Sequence, residues 1–258
     1  MWTDVAVAAL CAVVAFLFAN VGLGGGLLYL PILGAAYAWS PPTLVALTHL
    51  FSVATLAASA WGHWRSGLVR GRLAIAIGVP MMLAATLGAR ATLGNDARTV
   101  RYAFAVVLCL IAGKMVLGLR RPKVGAPRTG SPRPTALGRR ALRVLVPATA
   151  VGFLSGAVGI GGGVLLVPIL LWGAGLGTRE AVGTAAFALV WSSCSALATY
   201  AAGGAMAVPA GTVVAVLVAT LAGAMLGTRL GLERLRGRHV RAGFVAVLVI
   251  AAVSTVWR

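Results

Sequence analysis

Apolar residues in this chain run in long blocks, at about 4–39, 43–61, 73–93, 99–119, 144–176, 181–200, 208–228 and 240–257, parted by short polar connections. The blocks are helix-sized and apolar on every face. That pattern predicts a helical bundle in lipid rather than the short alternating segments of a barrel. The first block is too long to be one span. As a straight helix it would measure about 54 Å, against a hydrocarbon core of about 30 Å. It must break, and the break is expected at Gly22, Leu23, Gly24, Gly25 and Gly26, since successive glycines weaken a helix and permit positive φ. Pro31 then suits the opening turn of a new helix. The fifth block has the same design, with Gly159, Ile160, Gly161, Gly162 and Gly163 followed by Pro168.

These two motifs anchor an internal repeat. Residues 47–51 match 183–187, residues 88–90 match 227–229, and residues 98–104 match 238–244, all in the same order. Duplication explains this better than chance. The expected organisation is a first membrane repeat over 1–119, a basic cytoplasmic linker over 120–143, and a second membrane repeat over 144–258. The fold class is therefore an all-α polytopic membrane protein. Each repeat has a glycine-broken first helix followed by three transmembrane helices.

Composition agrees: 60% of the residues are hydrophobic and the formal net charge is +18. In a soluble protein such charge would suggest nucleic acid. Here the arginines sit in short connections, where they report orientation instead, so no nucleic-acid partner is expected. If each broken segment returns to the side it came from, the two repeats are inverted copies. Arg65, Arg70, Arg72, Arg229, Arg234, Arg236, Arg238 and Arg241 then share the linker's cytoplasmic side, and the uncharged loops 34–42 and 201–208 lie outside. Eight simple spans would export the arginine-rich stretch 229–241, which the positive-inside rule opposes. Arg90, Arg98 and Arg101 fall outside in the inverted arrangement, offset by Asp96.

Other chemistry is thin. Cys11, Cys109 and Cys194 each stand alone in apolar segments and read as small core residues. Residues 1–4 carry no basic n-region, so the first block reads as a retained helix rather than a signal. Asp4, Asp96, Glu180 and Glu233 fall at segment ends, leaving no interior carboxylate for an ion relay. Lys114 sits where it can snorkel. The glycine motifs lack the third glycine of a dinucleotide fingerprint, and there is no Walker lysine, HExxH element or nucleophile and base pair. The chain is not expected to be an enzyme, and no cofactor or metal is implied.

A helix that starts inside the membrane exposes unpaired N–H groups and the positive end of its dipole, and glycines let a ligand approach them closely. Two such starts would hold an oxyanion without a buried cation. The candidate site is therefore Gly22, Gly24, Gly25 and Gly26 with Gly159, Gly161, Gly162 and Gly163, joined by Asn20, Thr48, His49, Thr184 and Ser192. Ser52, Ser155, Ser193 and Ser195 are further polar candidates near the breaks. His49 has Ala185 as its repeat counterpart and Asn20 has Ala157, so neither belongs to a symmetric pair. Close helix packing competes, because both motifs have GxxxG spacing, while Gly223 with Gly227 and Ala84 with Gly88 read as packing alone.

The paired glycine motifs, with the Gly-Ala-Arg and Gly-Thr-Arg blocks at residues 88–90 and 227–229, resemble the TauE/SafE sulfite exporter family over essentially the whole chain. The resemblance implies a permease for sulfite or organosulfonates in a bacterial inner membrane. The expected partners are a small anionic substrate, the lipid bilayer and, as an open option, a second copy in a homodimer. A non-transporting membrane scaffold or assembly factor is the rival from another class.

Overall fold

A computed structural model describes residues 2–94, 134–159, 161–206 and 208–234, without the side chains of 134–143 and 232–234. The described residues form helices α1 (Trp2–Ala19), α2 (Gly26–Ala36), α3 (Pro41–Arg65), α4 (Gly71–Gly94), α5 (Pro134–Val158), α6 (Gly163–Ile169), α7 (Thr178–Ala202) and α8 (Ala210–Arg234). A π-helical turn, Leu170–Ala174, extends α6. Five of these helices are long and apolar enough to cross a membrane, so the chain is a multi-pass membrane protein. The fourth and eighth apolar blocks, with Asp96, Arg98, Arg101, Cys109, Lys114, Arg236, Arg238 and Arg241, lie outside the described residues.

Both long blocks are broken where the glycines cluster. α1 ends at Ala19 and α2 starts at Gly26, while α5 ends at Val158 and α6 starts at Gly163. The prolines are a correction: Pro31 and Pro168 lie inside α2 and α6, a turn beyond the helix starts. Each helix begins as soon as the glycine backbone allows it. The proline therefore removes one internal hydrogen bond instead of opening the helix. α5 also begins earlier than the apolar pattern suggests, at Pro134, within the stretch expected to be linker. Leu, Ala and Arg are strong helix formers, and proline suits a first turn.

The broken segments fold back on themselves. The Tyr37 hydroxyl, just past α2, donates to Asp4 Oδ1 at the start of α1 over 2.8 Å, so α2 returns to the side where α1 began. In the second half, a Cβ at Gly173 in the π-helical turn would lie 2.8 Å from Val144 in α5. The remaining directions follow from pairs of contacts. Added Cβ atoms at Gly223 and Gly227 would strike the carbonyls of Ala12 and Phe16, so α1 and α8 run in the same sense. Gly152 meets Met81 and Gly156 meets Ala85, so α4 and α5 also run together. α7 accompanies α4, with Gly78 against Ala188 and the Ser195 hydroxyl on the Met82 carbonyl. α3 and α7 run oppositely, because Gly183 meets His63 while His49 stacks on Tyr200.

Consequently α3 and α7 form the buried centre, and α1, α4 and α8 turn apolar stripes outward. Val13 and Leu17 of α1, Leu83 and Leu87 of α4, and Val218 and Met225 of α8 are exposed there. These are surfaces for acyl chains. Cys11 is buried, but Cys194 is exposed, which corrects the expectation that it packs in the core. Four of the exposed tryptophans lie at the ends, Trp61, Trp64 and Trp172 on the side of Arg65 and Arg70 and Trp2 on the opposite side, while Trp191 is exposed midway along α7. The four at the ends fit two aqueous interfaces.

Glycine contacts between α4 and α5 leave no room for a side chain. Gly156→Leu is expected to destabilise the detergent-solubilised protein by about 1–3 kcal/mol through overpacking, read as a lower thermal midpoint. Leu87→Ile on the outward face of α4 is the control and should leave the midpoint in place.

Candidate functional site

The two breaks meet backbone to backbone. A Cβ at Gly161 would lie 2.7 Å from the Leu23 carbonyl, and one at Gly163 would strike the carbonyl of Gly22. Positive φ at Gly24 and Gly25 (76° and 77°) lets the chain reverse immediately before α2, a conformation costly for any residue with a Cβ. Gly161 does the same before α6. All the glycines of both breaks that are described are buried. GxxxG packing and helix interruption thus coincide at the same residues.

At both breaks the α-helical ladder leaves donors over. The N–H groups of Gly24, Gly25, Gly26 and Leu27 make no hydrogen bond among the described residues, nor do those of Gly161, Gly163 and Val164. The exception is Gly162, whose N–H is taken by the Ser155 hydroxyl at 3.1 Å. Unpaired buried donors are rare because each costs a desolvation penalty. Here several converge where two helix starts touch, and each start adds the positive end of a helix dipole.

Buried polar side chains without partners lie on the two central helices. They are Ser52 and His49 on α3, with both ring nitrogens of His49 unbonded, and Ser192 and Ser193 on α7. α3 and α7 are each 25 residues long, starting at Pro41 and Thr178, and their contacts give the register. Val182 abuts Gly22 as Val45 abuts Gly159. Val45 is thus the counterpart of Val182, one residue away from the sequence matching of 47–51 with 183–187. In this register Ser193 stands in the place of Leu56, which packs on Gly24, and Ser52 stands in the place of Leu189, which packs on Gly162. The counterpart of His49 becomes Ala186.

The remaining candidates are distributed unevenly. Thr48 is buried against Gly159, with its hydroxyl on the Val45 carbonyl at 2.7 Å. Thr184 is committed elsewhere, accepting from the Arg70 N–H at 3.1 Å where α4 begins. Asn20 donates to the Phe16 carbonyl at 3.0 Å and lies against Gly231 of α8, away from the second break. Ser195 bonds the Met82 carbonyl and faces α4. Tyr200 was not among the sequence candidates. Its hydroxyl donates to the carbonyls of Gly156 and Ala157 at 3.0 and 3.2 Å, occupying acceptors that the end of α5 leaves open. Its sequence signal was a tyrosine inside an apolar block, because a buried phenol needs a partner.

A multi-pass helical bundle whose discontinuous helices meet at its centre defines a class of membrane transport proteins, with sites built from broken-helix ends. The chain belongs to the sulfite exporter TauE/SafE family, whose model matches residues 7–255. No curated protein and no solved structure matches it.

Among the described residues, Ser155 is the one side chain that holds an amide of the second break. Ser155→Ala leaves the Gly162 N–H without that partner and should cost about 1 kcal/mol, as other lost helix caps do. A thermal-unfolding midpoint lowered in detergent, with the helical circular dichroism retained, is the expected result.

Proposed function

We propose that this chain is a permease for a small sulfur-containing oxyanion, sulfite or an organosulfonate, which binds between the two breaks. The observation that carries this reading is the convergence of unbonded amides from both breaks beside the buried, unpartnered hydroxyls of Ser52, Ser192 and Ser193. Neutral donors attract an anion without a fixed buried cation and release it without breaking an ion pair. With the breaks packed on each other the site is closed, and the anion enters when the two broken hairpins part. Parting toward one face and then toward the other is alternating access.

The helix directions support two inverted repeats. α1, α3 and α8 run one way and α4, α5 and α7 the other, so α1 opposes its counterpart α5, α3 opposes α7 and α4 opposes α8. The contacts also obey the exchange: α1 packs on α8 as α4 packs on α5. The starts of α4, α5 and α7 then share a face with Arg65, Arg70 and Arg229, the face assigned to the cytoplasm of a bacterial inner membrane. In this reading the linker joins the repeats on that side. Arg70 binds Glu180 there at 2.6 Å, tying the start of α4 to the start of α7.

Flux tests the function. Proteoliposomes should accumulate radiolabelled sulfite saturably, and the double variant Ser52→Ala, Ser193→Ala should lower kcat/KM about tenfold or more, from two lost hydrogen bonds to a charged ligand. Unchanged flux in that variant would count against the site, and no flux of sulfite or organosulfonate in the wild type would favour the scaffold reading. Topology has its own check. In a cysteine-free background an impermeant thiol reagent applied to intact cells should label a cysteine at Ser40 and leave one at Ser66 unlabelled.

A further inference from the structure

Among the described residues, His49 is the buried ionisable side chain beside the second break that lacks a well-formed hydrogen bond. It is 1% exposed, and neither Nδ1 nor Nε2 has a hydrogen-bond partner. Its ring stacks on Tyr200, with centroids 6.0 Å apart, and the carbonyls of Gly156 and Ser155 lie nearby at the end of α5. The preceding residue, Thr48, rests against Gly159. The second break therefore has two electrically different ends. α6 offers unbonded amides to an anion, while the end of α5 brings carbonyls and the negative end of its dipole beside an imidazole. An imidazole without well-formed hydrogen bonds is costly in lipid, and a bound anion, alone or together with a proton, would give it the partner it lacks.

We propose that His49 is the proton carrier of this permease, taking up one proton as the oxyanion binds and releasing it when the anion leaves. The inference rests on the permease reading and adds proton coupling to it. A proton from water on the entry side binds a free nitrogen lone pair and makes an imidazolium, which offsets charge that neutral amides cannot cancel. On the exit side the imidazolium returns the proton to water. No bond of the anion is made or broken.

Among the described residues, the groups facing His49 leave it without a competitor for that role. From α7, Tyr200 lies on its ring, with its hydroxyl committed to carbonyls. On α2, Tyr29 is bonded to Thr55, further along α3. On α1, Cys11 is buried and Asp4 sits at the helix start, bonded to Tyr37 and Thr212. The described side chains of α5 include no titratable group, and Arg229 of α8 is exposed near the cytoplasmic end. His63, on the same helix, has its Nδ1 against the Ser59 carbonyl at 2.8 Å. Glu180 pairs with Arg70.

The experiment counts protons in weakly buffered detergent solution as full-length protein is saturated with sulfite, at a pH where sulfite is the dianion. The wild type should take up about one proton per bound sulfite, H63Q should match it, and H49Q, saturated at a higher sulfite concentration, should take up none. An equal uptake by H49Q, or no uptake by the wild type, overturns the proposal and leaves the permease reading standing. A wild type that binds neither sulfite nor methanesulfonate removes the permease reading and this inference together. Should H49Q fail to fold or bind, 15N spectra of a variant whose sole histidine is His49 (H63Q, H239Q) decide. Conversion to the imidazolium on adding sulfite supports the proposal, and an unchanged neutral ring overturns it.

Discussion

Backbone amides cannot be left bare in hydrocarbon, and this constraint organises the molecule. A helix interrupted within a bilayer must hide its ends in protein, because no water is present to bond them. The described residues hold two such interruptions, and they cover each other in part: Gly161 lies against Leu23, and Gly163 against Gly22. The central helices α3 and α7 close over both, with Leu56 on Gly24 and Leu189 on Gly162. The bundle is thus assembled around its own least stable backbone, with α1, α4 and α8 turning their outer faces to lipid.

The same glycines meet two demands that are usually separate. Packing requires absent side chains so that backbones can approach; a site requires amides that the approach does not consume. The backbone contacts between the elements here are made by carbonyls, at Leu23, Gly22 and Val182, and the neighbouring amides stay unbonded. That imbalance separates a site from a packing seam. At Gly223 and Gly227, or at Gly152 and Gly156, small residues also admit a neighbouring backbone, but there every amide is already part of a continuous helix.

The breaks could be read from sequence because a cluster of glycines in a block too long for the membrane has few other meanings. Pro31 and Pro168 misled about where the new helices open, since glycine geometry at Gly25 had already set the start. The register of α3 against α7 was hidden for a related reason. Letter matching aligned Thr48 with Thr184, yet the π-helical turn after α6 adds a residue that the shorter following loop removes, so the helices stay in the register of the glycine motifs. Thr184 accordingly faces the start of α4 rather than a break. Asn20 sits beside the motif in sequence but turns toward Gly231, because one residue along a helix rotates a side chain by about 100°. Proximity along the chain pointed to the backbone that is broken and to only some of the side chains that lie beside it.

Divergence between the halves is as informative as their likeness. In the register set by the contacts, Tyr200 occupies the place of His63, Ser192 that of Thr55, and Ala186 that of His49. Tyr29 bonds Thr55 in the first half, whereas Leu166 is its counterpart in the second and Ser192 keeps a free hydroxyl. A structure serving only to pack would gain nothing by leaving Ser192 and His49 unpaired, each in one half of this frame, when their counterparts are a bonded threonine and an alanine. A transporter would gain, because an anion moving through a duplicated frame needs the two ends of its path to differ in charge response. On the permease reading proposed above, the two breaks supply paired donors, and the side-chain differences between them are where direction and coupling reside.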